Sequence, residues 1–296
     1  MQKRNVLNSP RLVELKKRRQ KAILNKVLIS LLGFSVIFIL LAYISRFDNL
    51  NITEIQISGN KILETEILQT TVEQQISNKY LWLFPKTNIL IYPKNAVKEE
   101  LKEKFKRLKD VNLSIKNNKI LEVSLTERIA KYTWCGTVMP AQVDPLQKNV
   151  DTQKCYFLDE DGYLFDEAPY FSGEVYFKFY GLTNLNDEGI GAGFYFSEPN
   201  FKQLISFKNA LESMELKPTS LYIKENDDIE IFLSRGKTLP TGPRIILKKD
   251  SDFDKVAENL QTAITTEPLK SKLKNKYSSL LYIDLRFGNK VYYKFQ

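Results

Sequence analysis

The chain has 296 residues, with 44 Lys and Arg against 35 Asp and Glu, a net charge of +9, two cysteines and no histidine. The missing histidine removes the commonest general base, the Ser-His and Cys-His couples, and the usual extracellular zinc ligand. Forty-three per cent apolar residues and 27% charged residues are ordinary for a globular chain, with no low-complexity tract and no internal repeat.

The charge is concentrated at the start. Lys3, Arg4, Arg11, Lys16, Lys17, Arg18, Arg19, Lys21 and Lys26 face a single acid, Glu14, so eight of the nine net charges precede residue 27. Val27 to Ser45 then carries no charge, a length that matches the ~20 residues a helix needs to cross ~30 Å of hydrocarbon. Such a run has to satisfy its own backbone and reads as a transmembrane helix contacting the lipid bilayer. A basic flank stays on the cytoplasmic side, which puts the N-terminus inside and the remaining ~250 residues outside. The basicity therefore sets topology, and no nucleic-acid partner is read from it. A cleaved signal peptide fits less well, because the run is longer than ~7–15 residues and Ala42-Tyr43-Ile44-Ser45-Arg46 is a poor cleavage site.

Beyond the membrane run, Ile52 to Asn60 alternates apolar and polar residues and ends in Gly59-Asn60, a strand and a turn. Glu64 to Ser77 has helical spacing. Tyr80 to Tyr92 is apolar and irregular. Pro93 suits the first turn of a helix running through Val97, Leu101 and Phe105. Val111 to Ile115, the turn Lys116–Lys119 and the run Ile120 to Ile129 complete a β-α-α-β-β order. Further on, Gly162 within Tyr156–Phe165 suits a turn, because glycine takes positive φ without steric cost. A helix is expected at Phe201–Met214, strands at Leu221–Ile223, Ile229–Leu233 and Ile245–Leu247, and a helix at Phe253–Ile264. Two strands follow, at Leu281–Phe287 and Lys290–Phe295. Cys135 and Cys155 bracket an insertion-like stretch, Gly136 to Lys154. Outside a membrane such a pair reads as a disulfide, with two free buried thiols as the alternative.

The β-α-α-β-β order, the Ile-x-Ile-x-Gly-Asn start and the closing Val123-Ser124-Leu125-Thr126-Glu127-Arg128 resemble a POTRA domain. A POTRA domain just outside one N-in helix resembles the layout of the FtsQ/DivIB family of bacterial cell-division proteins. The strand Ala130–Trp134, the hairpin Tyr156–Phe165, the loop Gly236–Gly242 and Asp284-Leu285-Arg286-Phe287 resemble that family's second domain. The resemblance implies an α+β protein: a cytoplasmic tail over 1–26, a transmembrane helix over 27–45, a POTRA domain over 50–128, and a larger antiparallel-sheet β domain with flanking helices over 129–296. It implies a non-enzymatic scaffold at the division septum, with no cofactor, metal or small-molecule substrate, whose partners are FtsB/FtsL-type coiled-coil membrane proteins. The family's partner-binding region corresponds here to Arg286, Phe287, Lys290, Val291, Tyr292, Tyr293, Lys294 and Phe295.

The last strand also suggests this use by itself. Val291, Tyr293 and Phe295 alternate with Lys290, Tyr292 and Lys294, as in a strand buried on one face. At a sheet edge it would offer backbone groups to another chain. Other motifs fail on spacing. Gly236-Lys237-Thr238 lacks the earlier P-loop glycine, since Ile231 stands there, and Pro240 opposes the required helix. Gly189, Gly191 and Gly193 do not have dinucleotide spacing. Asp159-Glu160-Asp161-Gly162 has glycine too early for an EF-hand and reads as a turn. Two rival functions remain: a membrane-anchored wall or polysaccharide enzyme using carboxylates, and a POTRA-type secretion accessory.

Overall fold

The computed structural model describes residues 10–137, 139, 154–169, 171, 174–181, 196, 198–234 and 242–296. Lys3, Arg4, most of the stretch between the cysteines, the Gly189–Gly193 glycines and Gly236-Lys237-Thr238 lie outside the described residues. The protein is α+β and divides into two units, Met1–Lys104 with Asp110–Thr126, and Phe105–Lys109 with Glu127–Gln296.

The first unit begins with α1 (Pro10–Ile44), 35 residues long. At 1.5 Å per residue it measures about 52 Å. Its Glu14–Ile44 part is long and apolar enough to cross a membrane. The apolar residues are not a soluble core, because Ile29 and Leu32 are each 70% exposed and Phe34 is 68% exposed. The helix extends back through the basic residues because Lys, Arg and Glu are good helix formers. Near its end, Phe38 is half-buried and Ala42 and Ser45 are buried; these three share one face by their spacing.

The rest of this unit is β1 (Glu54–Ser58), α2 (Thr65–Ile76), β2 (Lys79–Tyr80), β3 (Phe84–Pro85), α3 (Lys94–Lys104), β4 (Leu108–Lys116) and β5 (Ile120–Glu127). The strand-helix-helix-strand-strand order is as expected, and the span read as irregular contains the β2–β3 hairpin. The sheet order is β1-β5-β4, with β1 parallel to β5. Leu68, Val72 and Ile76 of α2 and Val97 and Leu101 of α3 are buried, as are alternate residues Leu121, Val123 and Leu125 of β5. Period 3.6 on the helices and period 2 on the strand thus account for which residues are buried. Gly59 ends β1 at φ +87°, where a Cβ would stand 2.1 Å from the Leu125 carbonyl oxygen.

The second unit contains β6 (Tyr132–Trp134), β7 (Cys155–Leu158), β8 (Leu164–Ala168), β9 (Phe177–Gly181), α4 (Glu198–Ser213), β10 (Pro218–Ile223), β11 (Asp228–Leu233), β12 (Arg244–Lys248), α5 (Phe253–Thr265), α6 (Leu269–Lys276), β13 (Leu280–Phe287) and β14 (Lys290–Phe295). They form one nine-stranded sheet in the order β14-β13-β12-β11-β10-β9-β6-β7-β8. The expected antiparallel sheet is corrected to a mixed one, since β6–β9, β9–β10 and β12–β13 are parallel. The physical reason is the connections. Parallel neighbours need a long crossover, and α4 supplies one between β9 and β10 while α5 and α6 supply another between β12 and β13.

Strand register sorts the side chains into two faces. One row across the sheet is Phe179, Leu221, Ile231, Ile245, Ile283 and Tyr293. It packs with Phe201, Leu204 and Phe207 of α4 and Phe253, Val256 and Leu260 of α5 in a single core. The adjacent row on the opposite face is Tyr180, Tyr222, Glu230, Ile246, Asp284 and Tyr292. Its polar and aromatic content marks the face away from that core. Cys135 and Cys155 form a disulfide, S–S 2.05 Å and Cα–Cα 4.1 Å. It joins the ends of the neighbouring strands β6 and β7, at the base of the insertion-like stretch.

Candidate functional site

β14 ends the nine-stranded sheet, so among the described residues no strand pairs with its outer side. Its side chains alternate as the sequence implies. Val291, Tyr293 and Phe295 are half-buried and pack against the main core, while Lys290, Tyr292 and Lys294 are exposed. Lys272 of α6 caps the buried side, its Nζ 5.3 Å from the Tyr293 ring centre and 5.9 Å from that of Phe295. These cation–π contacts help hold the edge strand in place.

An exposed aromatic pair stands beside this edge. Phe287 is 55% exposed and Tyr292 is 49% exposed. Their rings meet edge to face at 5.3 Å. Two large rings kept in water next to unpaired backbone form a place where a partner would bury apolar area and gain ladder hydrogen bonds together.

Arg286 has a different position from its neighbours. Its Nε donates to Asp284 Oδ1 at 2.9 Å, Nη2 to Asp284 Oδ2 at 2.6 Å, and Nη1 to Asp228 Oδ2 at 2.6 Å. Asp284 and Asp228 are 6% and 7% exposed. Burial pushes the Asp284 carboxyl up, but the hydrogen bonds from Arg286 and its charge outweigh this and hold it below the ordinary carboxylate range. The same bonds raise the Arg286 guanidinium above its usual value. Arg286 therefore ties β13 to the start of β11, and the surface beside β14 is left to Phe287, Tyr292 and the two lysines. Asp228 was not singled out from the sequence, because it lies 58 residues from Arg286 and only the fold joins them.

The opposite sheet edge, β8, is flanked differently. Asp166 accepts from Arg107 Nε at 2.7 Å, and the same guanidinium lies 5.1 Å from the Phe165 ring centre. Lys154 pairs with Glu167 at 3.3 Å. Charges on an edge strand oppose further pairing, and Lys290 and Lys294 put charge on β14 as well, so it is the exposed Phe287–Tyr292 pair that sets β14 apart.

Among the described residues the buried carboxylates all have cations. Glu230, 2% exposed, is 2.6 Å from Lys224 and 3.5 Å from Arg244. Asp159 accepts from Arg128 and also anchors its own turn, taking the backbone N–H of Asp161 and of Tyr163 at 2.9 Å each. The Asp159–Gly162 segment is thus a hairpin turn closed by its own aspartate. Among the described residues no three His, Cys, Asp or Glu side chains gather in a way that could hold a metal ion.

Comparison of the sequence with protein-family models gives no match, and comparison with curated proteins gives none either.

Proposed function

We propose that the protein is a membrane-anchored, non-enzymatic scaffold of the FtsQ/DivIB type, acting in bacterial division. In this reading α1 is a single-pass anchor with the basic end in the cytoplasm. The β1–β5 unit is a POTRA domain, and the nine-stranded sheet is the family's β domain. The partner is a coiled-coil membrane protein of the FtsB/FtsL type, and it adds a strand along β14. Recruitment of such partners regulates septal wall synthesis.

The observation that carries the reading is the outer side of β14: an unpaired edge flanked by the exposed Phe287–Tyr292 pair. The strand-helix-helix-strand-strand order behind an apolar helix supports the layout. A carboxylate enzyme would call for a buried acid whose pKa is raised. Asp284 is lowered instead, and Asp159, Asp228 and Glu230 sit against cations.

The test is capture of membrane partners by the tagged full-length chain. Gln296 N–H donates inward to Ser279, so by alternation the Val291 N–H faces outward, and Val291→Pro, which removes that outer donor, should abolish capture. The double change Phe287→Ala with Tyr292→Ala keeps the backbone and should weaken it. Wild-type capture by the proline variant sinks strand addition.

A further inference from the structure

The β2–β3 hairpin has a surface that the scaffold reading does not use. Between Lys79 and Lys86 the chain reads Tyr-Leu-Trp-Leu-Phe-Pro, without a charge. At its tip Leu81 is 74% exposed and Trp82 is 90% exposed. These are the largest apolar exposures of the first unit's folded part, apart from Leu90 at 78%. Leu81 and Trp82 also take left-handed backbone, φ +48° and +60°. That conformation costs a bulky residue about 1–2 kcal/mol, and left-handed hairpin-turn positions are ordinarily taken by Asn, Asp or Gly. A strained turn that displays a leucine and a tryptophan contradicts local propensity, which is where functional residues are expected.

Its position on the helix says what faces it. The Phe84 ring lies edge to face with the ring of Phe38 on α1, centres 5.2 Å apart. Arg46 donates to the Leu83 carbonyl oxygen at 3.4 Å. Phe38 precedes the helix end at Ile44 by six residues, about 9 Å along the axis. The uncharged run Val27–Ser45 is about 28 Å long, close to the hydrocarbon thickness, so the Phe38 level lies within the outer half of the bilayer.

We propose that the β2–β3 hairpin is a second membrane anchor, with Leu81 and Trp82 inserted among the lipids of the outer leaflet and Lys79 and Lys86 at the headgroup level. Tryptophan at a membrane interface and lysines reaching out of it are the expected distribution. Two attachments, α1 and the hairpin, fix the orientation of the first unit on the membrane, which one flexible tether could not do. The inference rests on α1 being an anchor.

The chain has two tryptophans, Trp82 at the hairpin tip and Trp134 in the core of the second unit. The full-length protein is reconstituted alone, at low density, in phosphatidylcholine–phosphatidylglycerol vesicles with brominated acyl chains. Vesicle flotation and tryptophan quenching are read on the same sample. The expected result is flotation together with loss of the Trp82 share of the emission. That share is about half the total if the two tryptophans emit equally. Trp82→Phe, a change at an exposed position, should leave emission that the brominated lipid does not quench. Flotation with wild-type quenching no greater than in Trp82→Phe overturns the hairpin proposal and leaves the anchor, and would point to a protein surface as the hairpin's occupant. Failure to float overturns the anchor itself.

Discussion

Removing the Arg286 side chain tests whether it holds the sheet together. Arg286→Leu deletes three charge-assisted hydrogen bonds of 2.6–2.9 Å and strands Asp284 and Asp228. Breaking a buried pair costs about 3–5 kcal/mol. The Arg286 side chain is 29% exposed, so water screens part of the loss. The lower end, about 3 kcal/mol, is the expected value. With a urea m-value of about 2 kcal/mol/M, the midpoint should fall by about 1.5 M. The assay is urea unfolding of the full-length chain in detergent, followed through Trp134 in a Trp82→Phe background. Trp134 reports on the same sheet, being 1% exposed in β6. The effect should depend on pH with a defined sign. The Asp284 pKa is lowered in the folded state, so its contribution is present above the unfolded value and is lost as pH falls through the folded one. The gap between wild type and variant should be widest at neutral pH and narrow as the pH falls below the ordinary carboxylate value. The triple change Asp228→Asn, Asp284→Asn, Arg286→Leu removes the stranded charges and should recover most of the loss. A gap under about 1 kcal/mol at neutral pH, or one that does not narrow on acidification, would refute the assignment.

Three further outcomes are expected. Cys135→Ser with Cys155→Ser opens a bridge of sequence separation 20. In the chain-entropy picture the same urea titration should lose about 3 kcal/mol, with no change on adding reductant to the double variant. Gly181→Ala puts a side chain at φ +106° with its Cβ 2.1 Å from the Ile223 carbonyl oxygen. It should cost at least about 2 kcal/mol, because the β9–β10 pair has to separate there. Asp252→Ala removes the side chain that accepts the Lys255 N–H at the start of α5. About 1 kcal/mol should be lost, read as a lower thermal midpoint.

The first unit was legible because its signals are local. Alternation in β1 and β5, the 3.6 spacing of Leu68, Val72 and Ile76, and the uncharged run each reveal an element within a few residues. The β2–β3 hairpin escaped because its turn is Leu81-Trp82, which carries none of the usual turn chemistry. The second sheet escaped in its topology. Strand β9 is only five residues, Phe177–Gly181, and pairs on both sides with strands distant in sequence. Parallel pairing leaves no hairpin signature, so the sequence reading found most of the strands, missed β9 and the helix α6, and did not reveal the strand order. At the candidate site the alternation of β14 was readable, whereas its edge position was only a condition until the sheet order supplied it. The fate of Arg286 was not readable, since Asp228 reaches it only through the β11–β12–β13 register. One charged residue in the expected partner-binding set thus has a structural task that its place in the motif did not reveal.

The most direct measurement is photocrosslinking in the protein's native cells from a benzophenone side chain at Tyr292. A second copy of the experiment places the probe at Glu167, on the opposite sheet edge. The expected result is a single adduct from Tyr292 with a small single-pass coiled-coil membrane protein, and no such adduct from Glu167. Equal capture from both edges, or capture of that partner from Glu167 alone, would contradict docking along β14.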